Sequence, residues 1–378
     1  MKNTGYKTWI EINRRNIENN YKIFRKIIEP KCQLMAVVKS NAYGHGLIDF
    51  SLEAQKLGVD WFGVDSVVEG VHLRQEGIHK KILALGYTLK NNFQEAIKNN
   101  ISLSVSSFGV LKELENFYKK HKKIPKIHIK IDTGMHRQGF FVEQIPKVID
   151  FLKKKIDTGA VEGVFTHFSS AAKTSKMRET NLQIKKFKEA ISLLEKSGFK
   201  LLKHAAATAG TIAFSNSHFD MVRIGAGLYG LWPSEEMKIK FSKRIKIRPI
   251  LTWKTIISEI KEIVKGEGVG YNLSERVKRN SQIGILPIGY WHGYPRNLST
   301  TGRVVVGKKL SKIVGLISMD IMAIDITDIK EARVGNEVFL IGGGRQLSVS
   351  ADDLARWGKT INYEITTRIN PLIKKFIV

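Results

Sequence analysis

Short apolar runs recur along the first part of the chain, at residues 34–38, 61–64, 82–85, 101–105, 127–131, 161–165, 201–206 and 221–224. Between most of them, apolar positions fall at helical spacing, over 52–57, 67–76, 111–120, 145–155 and 182–197, with a weaker helical stretch at 91–98. Strand, helix and strand alternate as in an α/β fold of the (β/α)8 TIM-like barrel type. After Trp232 the pattern changes to short runs at 251–257, 282–286, 303–306, 312–317, 323–326 and 337–341, separated by Gly, Asp, Asn and Lys turns. Such spacing predicts a second, C-terminal all-β domain. The basic segment 238–248, ahead of Pro249, is the natural boundary, so the expected domains are a barrel over 1–240 and a β domain over 241–378.

Lys39 follows the apolar run 34–38, and turn residues Ser40, Asn41 and Gly44 follow it. The carboxyl end of a barrel strand is where barrel enzymes place their chemistry. Among apolar neighbours the charged form of a lysine is disfavoured, which is the condition for nucleophilic amine or imine chemistry. Alone, Val-Val-Lys more often describes a surface lysine after a strand.

The fifth run, from Ile127, alternates strictly: Ile127, Ile129 and Ile131 would face the helices, and His128, Lys130 and Asp132 the interior. A barrel interior does not hold a bare ammonium cheaply, so Lys130 must be paired, shifted in pKa or chemically modified. Gly134 and Gly139 bracket Arg137, whose planar fork suits a carboxylate or an aromatic hydroxyl. The sixth run ends in Thr166, His167 and Phe168, and the eighth in Arg223, Ile224, Gly225, Ala226 and Gly227. Small residues there free backbone N–H groups for a phosphate, at the place where barrels commonly hold one. Lysine, phosphate nest and arginine together suggest a phosphorylated cofactor that forms an imine, pyridoxal 5′-phosphate.

Charge adds a second hypothesis and composition weakens it. With 62 Lys+Arg against 35 Asp+Glu the formal charge is +27, which would suit nucleic acid. The lysines are scattered in pairs and triplets, such as Lys153 to Lys155, with no interleaved aromatic platform, so they read as solvated surface. No nucleic-acid or membrane partner and no metal site is expected. The lone cysteine, Cys32, excludes an intrachain disulfide and, with a charged amino terminus unlike a signal peptide, points to the cytoplasm.

Eight motifs carry a resemblance: AVVKSNAYGHG, KIDTGMHRQG, THF, MVRIGAGLYG, GVGYNLS, PIGYWHGYPR, GLISMD and TINYE, in this order. The chain resembles alanine racemase end to end, a fold-type III pyridoxal-phosphate family. The resemblance implies a homodimer with shared active sites and a small amino-acid substrate, the product D-alanine serving peptidoglycan. It implies that Lys39 binds the cofactor and acts as one base, and that Tyr271, given by the other subunit, is the opposing base. Arg223 matches the residue facing the pyridine nitrogen, with His167 beside it. Tyr43, Thr208, Tyr363, Gly225 and Ala226 match the phosphate cradle, and Arg137 and Met319 contacts to the substrate carboxylate. Lys130 matches a lysine that is carbamylated in some members, and Tyr290, Arg296 and Ile361 match an entrance corridor.

Some positions depart from that family's pattern. Ala207-Thr208 replaces Asn-Ser, Trp291-His292 replaces Ala-Asp, and Ala172 and Leu316 replace an acid and an arginine that pair across the dimer. Losing both members of that pair leaves no charge stranded. These changes bear on substrate range and leave a racemase of serine or of a broader set of amino acids as an alternative. A barrel-type amino-acid decarboxylase would share the cofactor lysine, but should carry a carboxyl-terminal cysteine motif.

Overall fold

The computed structural model describes residues 5–344 and 346–378 and divides into two units. The first strand, β1 (Thr8–Ile12), opens the chain. The barrel unit follows, with β2 (Gln33–Val37), β3 (Trp61–Val64), β4 (Lys81–Ala84), β5 (Ile101–Val105), β6 (Ile127–Lys130), β7 (Val161–Phe165), β8 (Leu202–Ala207) and β9 (Met221–Ile224). All neighbours pair in parallel, and β9 returns to β2, closing the barrel. β3 and β5 are buried at every residue because helices cover the outer face and side chains fill the inner one.

The covering helices are cut at recognisable positions. Ser66 and Ser107 accept hydrogen bonds from the N–H groups of Glu69 and Val110, capping Val67–Gln75 and Phe108–His121. The weak stretch near residue 91 does form a helix, Phe93–Lys98, held by burial of Phe93 and Ala96. A helix the pattern did not single out, Arg14–Ile27, buries Ile17, Asn20 and Phe24.

The register shifts between β8 and β9 after His204 and again between β6 and β7, where it has a consequence for the interior. Ile127 pairs with Val161 but His128 pairs with Gly163, so Glu162 is an extra residue in β7. Gly163 cannot carry a side chain, because a Cβ there would lie 2.3 Å from His128 Nδ1.

The second unit takes residues up to 15, residues 43–46 and residues 249–378. Its strands are β10 (Leu251–Ile256), β11 (Glu259–Ile263), β12 (Gly268–Val269), β13 (Glu275–Arg276), β14 (Ser281–Leu286), β15 (Arg303–Val306), β16 (Lys309–Val314), β17 (Met322–Asp325), β18 (Glu337–Gly343), β19 (Ser348–Val349) and β20 (Lys375–Ile377). The main sheet runs β11-β14-β17-β16-β15-β18-β10-β1-β20, and β12 and β13 form a separate ribbon. Two short helices, Ala351–Trp357 and Asn362–Thr367, accompany the strands.

The expected boundary put every residue before 241 with the barrel, and the structure assigns β1 elsewhere. Thr8 to Ile12 pair antiparallel with Thr255 to Leu251, and Ile10 to Ile12 pair in parallel with Lys375 to Ile377. Ladder hydrogen bonds on both edges decide the matter, and no local pattern in five residues reveals a partner more than 200 positions away. Residues 43–46 join the same unit through a tight approach. Gly44 has φ +85°, and a Cβ on it would lie 1.9 Å from the Thr366 carbonyl oxygen, so only glycine fits.

Candidate active site

Lys39 opens the turn after β2 under unusual backbone conditions. Ser40, Asn41, Ala42 and Tyr43 all have φ between 52° and 56°, a left-handed turn without a glycine. Each such residue costs about 1–2 kcal/mol, so the surroundings must impose it. The Ala42 N–H donates to the Val38 carbonyl at 2.7 Å. Asn41 Oδ1 accepts from the Leu47 N–H at 2.8 Å. Glu69 clamps the turn from the side, its two carboxylate oxygens accepting from the N–H groups of Ser40 at 2.8 Å and Asp65 at 2.7 Å.

The surroundings of Lys39 differ from the apolar ones expected. Its side chain is 40% exposed, and its Nζ lies 3.9 Å from Asp65 Oδ1. The strand before it is buried, but the turn lifts the amine out of the core.

Lys130, at the end of β6, does point inward: it is 7% exposed, and its ammonium donates to Gln138 Oε1 at 3.0 Å. Burial, then the charges of Arg137, Arg223 and Lys39, push it down to about 8. Beyond it, Asp132 Oδ1 accepts from the N–H groups of Gly134, Met135 and His136, shaping the loop that carries Arg137. Gly139 (φ +131°) closes this loop, since a Cβ would lie 2.5 Å from the Asp132 nitrogen.

Arg223, on β9, is 3% exposed and held by several hydrogen bonds. One amino group donates to His204 Nδ1 at 2.8 Å, and the other to the carbonyls of Thr166 at 2.7 Å and Ala205 at 2.8 Å. His167 Nδ1 is 3.4 Å away. Burial lowers Arg223 to about 9. Burial also dominates at His167, and with Arg223, Arg137, Lys130 and Lys39 it holds the imidazole down at about 3, neutral at physiological pH.

Thr208 and Gly225 to Gly227 meet where β8 and β9 end. Thr208 is buried, and its hydroxyl accepts from the Gly227 N–H at 3.2 Å. Gly225 (φ −107°, ψ −95°) leads into the short turn Ala226–Tyr229. The turn packs too closely for a side chain at Gly227, whose Cβ would lie 2.3 Å from the Phe24 ring.

In the sheet unit, Tyr43 and Tyr363 meet edge to face with ring centroids 5.8 Å apart. Burial raises both phenols above their ordinary range. Tyr271 follows the β12 strand and is 70% exposed, and Met319 is 55% exposed. His292, where the resemblance leads one to expect Asp, is buried, and its Nδ1 accepts from the Gly289 N–H at 3.2 Å, closing its own turn. Among the described residues no cluster of His, Cys, Asp and Glu could hold a metal ion, and no helix is long and apolar enough to cross a membrane.

The family model described as alanine racemase, N-terminal domain, matches residues 12–233, and the one for the C-terminal domain matches residues 250–377. The chain belongs to the alanine racemase family. It is 36% identical to the alanine racemase of Leptospira interrogans over 100% of this chain and 97% of the relative. It is 35% identical to that of Methanococcus maripaludis over 97% of each. Among solved structures, the alanine racemase of Clostridium difficile 630 superposes with a TM-score of 0.92 at 32% identity, covering 99% of this chain and 96% of that one. The Bacillus anthracis alanine racemase with bound L-Ala-P gives a TM-score of 0.92 at 31% identity, covering 98% and 95%. As an alanine racemase the enzyme is an isomerase, and the closed parallel barrel with a separate sheet domain is the alanine racemase fold.

Motif reading of an alanine racemase overlooks residues that the barrel brings to Arg223. His204 and Glu162 carried no signal beyond being polar in apolar runs, and His128 was placed inward without a partner. Glu69 lay in a helix pattern with nothing to connect it to Lys39. Each acts through a neighbour on another strand, so spacing along the chain does not reveal it.

Proposed function

We propose that the enzyme interconverts L- and D-alanine with pyridoxal 5′-phosphate, by taking the Cα proton on one face and returning it on the other. The observation that carries this reading is the gathering of Lys39, Lys130, Arg137 and Arg223 at one end of the barrel, close enough to depress Lys130 and His167. The three cations around Lys130, namely Lys39, Arg137 and Arg223, fit a ligand carrying a phosphate and a carboxylate. When bound, pyridoxal 5′-phosphate supplies an electron sink that makes the Cα proton removable. Thr208 and the backbone at Gly225 and Ala226 would hold the phosphate. Arg223 would donate to the ring nitrogen and, not readily yielding its proton, leave it unprotonated, which suits an enzyme that only moves a proton. Arg137 would bind the substrate carboxylate, together with Met319 of the partner subunit.

Two groups on opposite faces of Cα move the proton without rotating the substrate. We assign one face to Lys39 and the other to Tyr271 of the partner subunit, with His167 between Arg223 and that phenol. Exposure supports a homodimer: Tyr271, Leu273, Tyr290, Trp291, Met319 and Ile321 each leave at least 41% of their surface open in one chain. We place the enzyme in the cytoplasm and its D-alanine in peptidoglycan synthesis. Purified enzyme loaded with the cofactor is expected to bring either enantiomer of alanine to the same equal mixture, read by chiral chromatography. A folded, loaded protein that leaves both untouched, or that turns over serine in preference, would overturn the assignment.

Lys130 enters as an anion in this scheme. A neutral amine adds carbon dioxide through a new N–C bond and releases one proton to solvent, and the resulting carbamate would face Arg137 in place of a buried cation. With the ammonium lowered to about 8, the reactive form grows as pH rises through that value. Incubation with 13C-bicarbonate is expected to give a carbamate carbon signal that strengthens from pH 7 to 9 and is missing from Lys130→Ala. No signal at any pH would leave Lys130 a plain ammonium.

A further inference from the structure

Below Arg223, the barrel interior holds polar side chains that the proposed reaction does not use. His204 Nδ1 is 2.8 Å from Arg223, His204 Nε2 is 2.9 Å from His128 Nδ1, and His128 Nε2 is 3.3 Å from Glu162 Oε2. Both imidazoles are 0% exposed. Glu162 is anchored by Ser102 Oγ at 2.7 Å and by Lys81 Nζ at 2.8 Å. The three links from Arg223 to Glu162 join β9, β8, β6 and β7.

The two ends determine everything between them. A guanidinium has no acceptor and an ionised carboxylate has no donor. His204 must therefore accept at Nδ1 and carry its proton on Nε2. That proton goes to His128 Nδ1, so His128 carries its own on Nε2 and gives it to Glu162. Any other placement sets two N–H groups, or two lone pairs, against each other at 2.9 Å in a buried site. Both rings must also be neutral, since each uses one nitrogen as an acceptor. Burial keeps them so: it lowers His128, and with Arg223 and His128 it lowers His204 well below the ordinary range. At the far end, hydrogen bonds from His128, Lys81 and Ser102 overcome burial and hold the Glu162 carboxyl at about 2.

The fold is shaped around these groups. The extra residue in β7 lets Glu162 and Gly163 both turn inward, and Gly163 leaves the space the His128 ring occupies. Phe165 stacks on His204 at 4.9 Å and 4°, and Trp61 meets His128 edge-on at 5.4 Å. These aromatic contacts wall in both rings.

We propose that Glu162, His128 and His204 are positioning residues: a one-way hydrogen-bond chain that aims Arg223 at the cofactor ring and keeps it charged. Among the described residues the partners of Arg223 are two carbonyls and two imidazoles, with no carboxylate touching it. Its counter-charge is Glu162, conveyed through two imidazoles whose dipoles both present their negative end toward the guanidinium. The hydrogen-bond order stands on this structure alone. Its effect on the cofactor rests on the proposed function.

The test separates the two. With 15N-histidine in the cofactor-free protein, long-range proton–nitrogen spectra report which ring nitrogen is protonated, and His128→Asn and His204→Asn assign the signals. Both residues are expected to be neutral with the proton on Nε2, unchanged from pH 6 to 9. Either ring found as an imidazolium, or protonated on Nδ1, overturns the proposal whether or not the enzyme racemises alanine. Glu162→Gln keeps the shape but lets the far end donate, so His128 is expected to become a mixture of tautomers. Loaded with cofactor, this variant should lose about ten- to a hundred-fold in kcat with little change in KM, as outer partners of a bound group do. It should also shift the pH dependence of the cofactor's visible band. Unchanged tautomers, kcat and band in a folded Glu162→Gln protein would sink the role assigned to Glu162. Loss of racemisation in the parent, with the tautomers as stated, would instead count against the proposed function alone.

Discussion

Lys39→Ala is expected to lose racemisation in both directions by at least about a thousand-fold, the scale on which a positioned acid–base group acts. The residue has two proposed duties, and alanine removes both. Borohydride should fix the cofactor to Lys39 in the parent, found by mass spectrometry on the peptide that carries it, and to no residue in the variant. The fold should survive, since the side chain is 40% exposed and the turn it opens is held by Glu69, Asn41 and Val38. A variant that kept a tenth of the parent rate would remove Lys39 from the chemistry.

Tyr271→Phe should lower racemisation by about a hundred- to ten-thousand-fold in both directions while sparing half of the proton chemistry. Each direction needs both faces, but exchange of the Cα proton with deuterated solvent needs only one. One enantiomer should therefore keep its exchange and the other lose it, read by proton NMR. A phenol 70% exposed in one chain contributes little to folding, so thermal melting should not move. The shared site gives a sharper version. Mixing Lys39→Ala chains with Tyr271→Phe chains, each inactive alone, should restore about a quarter of parent activity, because half the dimers are mixed and each has one intact site. No recovery after verified exchange would place the two groups in the same chain's site or in none.

Much of the architecture was legible because it repeats. Eight buried runs and intervening helical spacing suffice for a barrel, since burial on both faces leaves apolar strands that no solvent-exposed sheet would tolerate. Lys130 was legible for the same reason, as strict alternation in β6 left it only the interior. Two features escaped. β1 is a five-residue strand whose reason for being a strand is β10 and β20, far along the chain. The left-handed run Ser40 to Tyr43 contradicts local preference and exists because Glu69, Val38 and Leu47 hold it.

By itself, the order of residues determined the barrel, the later strand-rich domain, the family and the lysine at the end of β2, because periodic burial and contiguous motifs are local properties. Only the tertiary structure decided how Arg223 is held. Its partners come from the segment just after β7, from β8 and, through His204, from β6, brought together by barrel closure and by one extra residue in β7. Hydrogen bonds act over about 3 Å in space and not along the chain, so the direction of that buried sequence of donors and acceptors emerges only once the strands are side by side.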